Sequence, residues 1–241
     1  MEDNTIRLNK YLANLGICSR RDVEDLLKKQ IVTVNGERVY ESGVRIDPAI
    51  DDIRLDGNKI KPPKLVYYLV NKPKGIIATT DDEFDRKDVT SLVPFKGKIY
   101  PVGRLDKDTT GLIILTNDGT LTNLLTHPRY HVYKVYRLKI QGKSNPRQLQ
   151  ALRNGVRLDD GPTAPAKVRI IKETYQFAFL EMTIHEGRNR QIRRMCETVG
   201  LKLLDLKRIK FGPIELGNLK EGKYHELSRE EIQALKKAAM V

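Results

Sequence analysis

The 241-residue chain holds only two cysteines, Cys18 and Cys196, far apart in sequence. Two isolated thiols exclude a cysteine-built metal cluster and argue against a disulfide framework, so both read as buried or incidental. Long apolar runs are missing too. No stretch approaches the roughly 20 residues that a membrane-spanning helix needs, and the opening MEDNTIRLNK is too polar for a signal peptide. A cytoplasmic protein without membrane contact is expected. Histidine is scarce: His127 and His131 stand four apart, but Pro128 lies between them and no third ligand is near in sequence, so a zinc site is not expected. Internal repeats and low-complexity segments are absent as well.

Positive charge is what the chain has in excess. Lysine and arginine number 44 against 31 acidic residues, a net charge of +13. An excess of that size draws a protein toward polyanions, and nucleic acid is the first partner to expect. The excess is uneven, since residues 1–60 carry −1 and residues 61–241 carry +14.

The pattern along the chain predicts an α+β protein of two domains. Leu8, Tyr11, Leu12 and Leu15 recur at helical spacing until Gly16, and Ser19 with Asp22 reads as the cap of a second helix carrying Val23, Leu26 and Leu27. VTVNGERV and DIRLDGNKI place Asn-Gly and Asp-Gly between alternating segments, the signature of hairpins. Two helices and a small sheet thus make a domain over residues 1–61. KPPK, residues 61–64, breaks the pattern. Residues 62–241 alternate strand-like runs (YYLVN, GLIILT, KVYRLKI, AKVRII, FAFLEMTI) with helices at PRQLQALRNG and RQIRRMCETVG, and Ser228 with Glu231 boxes a last helix.

Two acids in GRLDKDTTGL, residues 103–112, raise the question of chemistry. As a calcium loop, Asp106, Asp108 and Thr110 take positions 1, 3 and 5, but position 12 is Asn117 where a bidentate glutamate is needed, and LIILT reads as a strand. As a phosphotransferase signature, D-x-D-x-T needs a buried apolar strand before the first acid, whereas Pro101, Val102, Gly103, Arg104 and Leu105 precede it. That reading would use Asp159 and Asp160 for magnesium and predicts a metal requirement. The plainest reading is that both acids shape a turn. Eighty residues on, EGRNRQIRRM gathers Arg188, Arg190, Arg193 and Arg194 with no acid between Glu186 and Glu197, unlike an ordinary solvated helix face. A helix start rich in guanidinium forks suits phosphate.

These residues together carry a resemblance. RLNKYLANLGICSRRDVEDLL, VTVNG, NKPKGIIATT, YPVGRLDKDTTGLIILTNDG, KVYRLKI and HEGRNRQIRRMCE closely resemble the RsuA/RluB/RluF group of ribosomal RNA pseudouridine synthases over almost the whole chain. The resemblance implies a small N-terminal RNA-binding domain, of the type named after ribosomal small-subunit protein four, before a catalytic domain on a mixed, mainly antiparallel sheet with flanking helices. It implies Asp106 as the catalytic aspartate, Tyr136 stacked on the target base, and Arg193 paired with the aspartate and holding it ionised. Leu206 would pack the substrate pocket, Arg104 would hold the extruded nucleotide or its strand, and Asp108 would belong to the turn presenting Asp106. Lys10, Arg20 and Arg21 in front, with Arg188, Arg190 and Arg194 behind, would bind RNA. Arg20 and Arg21 are placed at the start of the second helix.

Isomerising uridine moves one bond from N1 to C5 without redox change, so no metal or cofactor is implied. The target must leave its stack to be reached. THPRY and GVRLDDGPTAPAKV resemble the RluB branch, RLNKYL with GICSRR and TTDDEFDR the RluF branch, so large-subunit (23S) RNA is the expected substrate. A small-subunit enzyme and a non-catalytic RNA-binding or ribosome-assembly factor are the alternatives. The expected partner is ribosomal RNA or a ribosomal subunit assembly intermediate, engaged by a monomer.

Overall fold

The computed structural model describes residues 5–19, 21–61, 64–79 and 87–240, and the chain divides into two compact units. One is built from the residues up to Leu65 together with Phe95–Lys98, the other from Val66–Pro94 and the residues from Ile99 onward. Arg20, Pro62 and Pro63 of the expected break, and most of the TTDDEFDR segment, lie outside the described residues.

In the first unit β1 (Ile6–Arg7) pairs with β4 (Arg45–Ile46), and α1 (Leu8–Asn14) follows β1 directly. β2 (Val32–Val34), β3 (Glu37–Arg38), β5 (Ile53–Leu55) and β6 (Asn58–Lys59) form a four-stranded sheet in the order β3-β2-β5-β6. Its two hairpins turn where predicted, because Asn35 (φ 53°) and Asp56 (φ 47°) tolerate the left-handed region ahead of Gly36 and Gly57. The second helix starts later than predicted. α2 spans Val23–Lys29, and the Ser19 hydroxyl donates to the Asp22 carboxylate (2.7 Å) instead of accepting from a backbone N–H. Arg21 and Asp22 lie in a turn, the Asp22 N–H donating to the Ser19 carbonyl at 3.1 Å, and Arg21 is exposed ahead of the helix. Leu8, Leu12, Val23, Leu27, Val32, Ile46 and Ile53 close the core.

In the second unit nine strands of the described residues make one sheet. The main path runs β13 (Lys167–Glu173), β14 (Phe177–Ile184), β10 (Lys134–Gln141), β15 (Leu203–Phe211), β9 (Thr110–Thr116), β7 (Tyr67–Lys72), β17 (Tyr224–Glu226). β8 (Tyr100–Pro101) and β16 (Ile214–Glu215) pair with β9 and β15 from the sides. Among these pairs only β15 with β9 is parallel, through Lys207 opposite Thr110 and Arg208 opposite Gly111. All seven residues of β9 are buried, which is why its sequence runs almost continuously apolar. The helices are α3 (Gly119–Thr126), α4 (Pro146–Asn154), α5 (Gln191–Thr198) and α6 (Arg229–Ala238). Ser228 and Glu231 form both bonds of the capping box on α6. α3 and α6 cover one core with Leu69, Leu112, Ile114, Phe211 and Leu235. β11 (Arg157–Leu158) and β12 (Gly161–Pro162) form a small separate hairpin. No helix among the described residues is long and apolar enough to cross a membrane.

Candidate active site

Asp106 sits in the loop between β8 and β9, in a tight turn where the Thr109 N–H donates to the Asp106 carbonyl at 3.0 Å. The peptide carbonyls just beyond it are held from three directions. Lys107 O accepts from Lys72 Nζ (3.2 Å) and from the Gly75 N–H (2.9 Å), and Asp108 O accepts from Arg193 Nη2 (3.1 Å). The same Arg193 nitrogen reaches the buried Thr109 hydroxyl at 3.3 Å, and Arg193 Nε stands 3.6 Å from Asp106 Oδ2. Arg193 thus touches the loop twice through hydrogen bonds and the carboxylate through charge. Its Nε is buried without a hydrogen-bond partner. Arg190 approaches the same Oδ2 at 4.0 Å and is half exposed.

Lys72, on β7, is fully buried, with Nζ also bonded to the carbonyls of Pro73 (3.0 Å) and Ile76. Burial pushes its ammonium down to about 8 from the usual 10.5, against the upward pull of Asp108 and Asp106. Between those values the unfolded chain binds the proton more tightly, so this contribution to stability grows as pH rises from about 8 to 10.5. Lys72→Met leaves three carbonyls without that donor and should cost about 2 kcal/mol or more at neutral pH. The variant should also lack this part of the alkaline rise. Urea unfolding of both proteins at pH 7 and pH 10 measures it, and equal midpoints at pH 7 would refute it.

Two recesses meet at Asp106. The smaller is lined by Asp106, Tyr136, Leu206, Arg104, Arg190 and Ile184, and the larger is a cleft of about 700 Å³ that shares Asp106, Tyr136 and Arg104. Tyr136 (8% exposed) and Leu206 (4%) come from neighbouring strands β10 and β15, Arg104 is exposed, and the Asp106 side chain keeps 28% of its surface. The carboxylate is therefore open to a ligand.

The four arginines of 188–194 divide into two pairs, and only two lie in a helix. Arg193 and Arg194 belong to α5, while Arg188 precedes it and Arg190, in the left-handed region (φ 47°), is its N-cap. Arg194 grips Asp160 through two bonds (3.0 and 2.9 Å), and Arg188 donates to the carbonyls of Gly161 (3.1 Å) and Pro162 (2.6 Å) and to Glu186 (3.0 Å). Burial raises the Glu186 pKa, but the Ala164 N–H, Gln191 and Arg188 outweigh it and hold the group below its usual value. Arg188 and Arg194, expected to bind RNA, both bond to the β11–β12 hairpin and tie it to α5. Arg188 and Arg190 both line the cleft, and of the two it is Arg190 that approaches the Asp106 carboxylate. The pairing with Arg194 takes Asp160 from the magnesium role that a phosphotransferase would give it. No group of three or more His, Cys, Asp or Glu side chains among the described residues is placed to hold a metal ion. Lys10, partly buried on α1, and Arg21 belong to the first unit.

Comparison with known proteins gives consistent matches. Residues 66–198 match the family of RNA pseudouridylate synthases and residues 6–49 the S4 domain. Ribosomal large subunit pseudouridine synthase B of Bacillus subtilis (strain 168) is 42% identical over 238 residues, spanning 97% of this chain and 96% of that protein. An uncharacterized RNA pseudouridine synthase of Aquifex aeolicus (strain VF5) is 40% identical over 97% of this chain and 94% of its own. A crystal structure of a pseudouridylate synthase superposes with a TM-score of 0.69 at 31% identity, covering 95% of this chain and 99% of the other.

Proposed function

This chain belongs to the RNA pseudouridylate synthase family, and from that premise we propose that its substrate is a uridine of large-subunit ribosomal RNA, attacked by Asp106. The chain isomerises uridine to pseudouridine in RNA. The reaction breaks the bond between N1 and C1′ and makes one between C5 and C1′; C5 loses its proton and N1 gains one. Electrons balance within the nucleoside.

One observation carries the assignment of roles. Asp106 shares a recess with Tyr136 and Leu206 while Arg193 stands 3.6 Å from its carboxylate. An ionised carboxylate there can attack C1′ or uracil C6, or take the C2′ proton, and each route begins from the same oxygen. Tyr136 offers a ring face to the uracil and a hydroxyl for moving the C5 proton. Leu206 closes the apolar wall behind the base. Arg104 and Arg190 hold the strand from which the uridine is extruded. Lys10 and Arg21 on the S4 domain bind RNA elsewhere along the molecule, as Arg20 would.

The substrate assignment rests on the Bacillus relative, which matches nearly end to end and whose name specifies the large subunit. We place the enzyme in the cytoplasm, acting as a monomer on ribosomal RNA or on an assembling subunit. Carbodiimide mapping of pseudouridines in ribosomal RNA, from cells with and without the gene, tests this. At least one large-subunit stop should vanish with the gene. A change confined to the small subunit would overturn the substrate, and an unchanged map would favour a non-catalytic RNA-binding role.

A further inference from the structure

The floor of the larger cleft holds two cations that the isomerisation does not use. Lys134 on β10 and Arg208 on β15 both line it. Arg208 is 2% exposed; its Nε donates to Leu112 O at 2.7 Å, and its Nη2 is buried with no hydrogen-bond partner. Lys134 Nζ donates to His185 O at 2.8 Å, and two N–H bonds of the ammonium remain. Among the described residues no carboxylate lies within ion-pair distance of either group. Glu186, the nearby acid on the cleft wall, is already engaged by Arg188, Gln191 and the Ala164 N–H. The two cations repel one another, and burial with that repulsion pulls Lys134 down to about 8.

Both stand over the Phe211 ring, at 5.8 Å for Lys134 and 5.1 Å for Arg208, and two cations with no partner anion under one cleft floor are costly unless an anion arrives. At the rim His131, held in the left-handed region (φ 46°), packs against His185 with ring centroids 4.6 Å apart. Tyr136 stands directly across the strand pair from Arg208, so this floor adjoins the recess of Asp106. The uracil takes that recess. In RNA the formal negative charge next to a base is its phosphodiester.

We propose that Lys134 and Arg208, with His131 and His185 at the rim, form a subsite for one phosphodiester of the RNA strand adjoining the target uridine. The inference rests on the reading that the Asp106 recess receives the uridine. Holding that phosphate would keep the flipped nucleotide from swinging back into its stack.

The test uses fluorescein-labelled single-stranded RNA pentamers, AAUAA and AACAA, and versions of AAUAA with one linkage beside the uridine replaced by neutral methylphosphonate. Binding to the full chain is followed by anisotropy over a range of salt concentrations. The wild type should lose about tenfold in affinity at one of the two linkages, as expected for a charge-assisted contact. Lys134→Met should show no difference at that linkage, and its slope of log Kd against log salt should fall by about 0.7, one single-strand phosphate. Lys134→Arg should keep both effects. An equal response of wild type and Lys134→Met to the neutral linkages, or an unchanged slope, overturns the subsite, as does Lys134→Arg behaving like Lys134→Met. Equal binding of AAUAA and AACAA would instead overturn the uridine recess, so the two failures are told apart. Thermal unfolding of each variant confirms that a folded protein is compared.

Discussion

Asp106→Asn should abolish pseudouridine formation while leaving the fold intact. Asparagine has nearly the shape of aspartate but lacks the anionic oxygen that each route to cleavage of the glycosidic bond requires. Among the described residues no other carboxylate borders the recess that Tyr136 and Leu206 line with Asp106. The loss should exceed about 10⁴-fold in kcat/KM, the scale found when a nucleophile is removed. Stability should barely move, because the carboxylate's ion pair with Arg193 is long at 3.6 Å and the loop is held by bonds to the carbonyls of Lys107 and Asp108. Partly exposed pairs of that kind contribute about 1 kcal/mol or less. The measurement is tritium release from RNA labelled at uridine C5, with circular dichroism on the same sample. A variant that keeps a tenth of wild-type turnover would remove Asp106 from the chemistry.

Gly111→Ala should unfold the second unit or loosen it beyond function. Gly111 has φ +101°, and a Cβ there would lie 2.2 Å from Arg208 O and 2.8 Å from Arg208 N, both backbone atoms that cannot swing aside. An alanine in that backbone region costs about 1–2 kcal/mol, and overpacking adds about 1–3 kcal/mol. A total near 3 kcal/mol or more removes a large part of ordinary domain stability. The position also matters for the site. The parallel seam of β9 with β15 joins β7, β17 and β9 to the rest of the sheet through two residue pairs, and Gly111 is in one of them. Asp106 is carried on one side of that seam, Tyr136 and Leu206 on the other. Spreading the seam moves the acid away from the wall that Tyr136 and Leu206 form. Urea unfolding and turnover should fall together; a midpoint shifted by less than about 1 kcal/mol with full activity would refute this.

Local signals in the sequence were read well where the physics is local. The Asn-Gly and Asp-Gly hairpins follow from two residues each that accept positive φ, and the box at Ser228 and Glu231 from a four-residue exchange of hydrogen bonds. Ser19 misled because a hydroxyl three residues before an aspartate can donate to the side chain as easily as accept from the backbone. β15 escaped notice as a strand: LLDLKRIKF mixes charges into its length, since Arg208 donates to a carbonyl 96 positions away and Lys207 stands 3.8 Å from Glu221. α3 was also missed, although Asp118 caps it through Thr120 and Leu121. The arginines of 188–194 looked alike in one dimension. Only the hairpin at Asp160–Pro162 separates two that brace from two that face Asp106. Lys72 gave no sign at all, because its role depends on carbonyls that the loop brings to it.

The anchoring of Lys107 and Asp108 by Lys72, Gly75 and Arg193 reaches across most of the catalytic half of the polypeptide. A nascent chain that has emerged only as far as β14 already contains its acid but not the guanidinium that steadies it. Competence therefore arrives late and all at once, so a truncated or half-collapsed product should be inert toward RNA instead of modifying stray uridines.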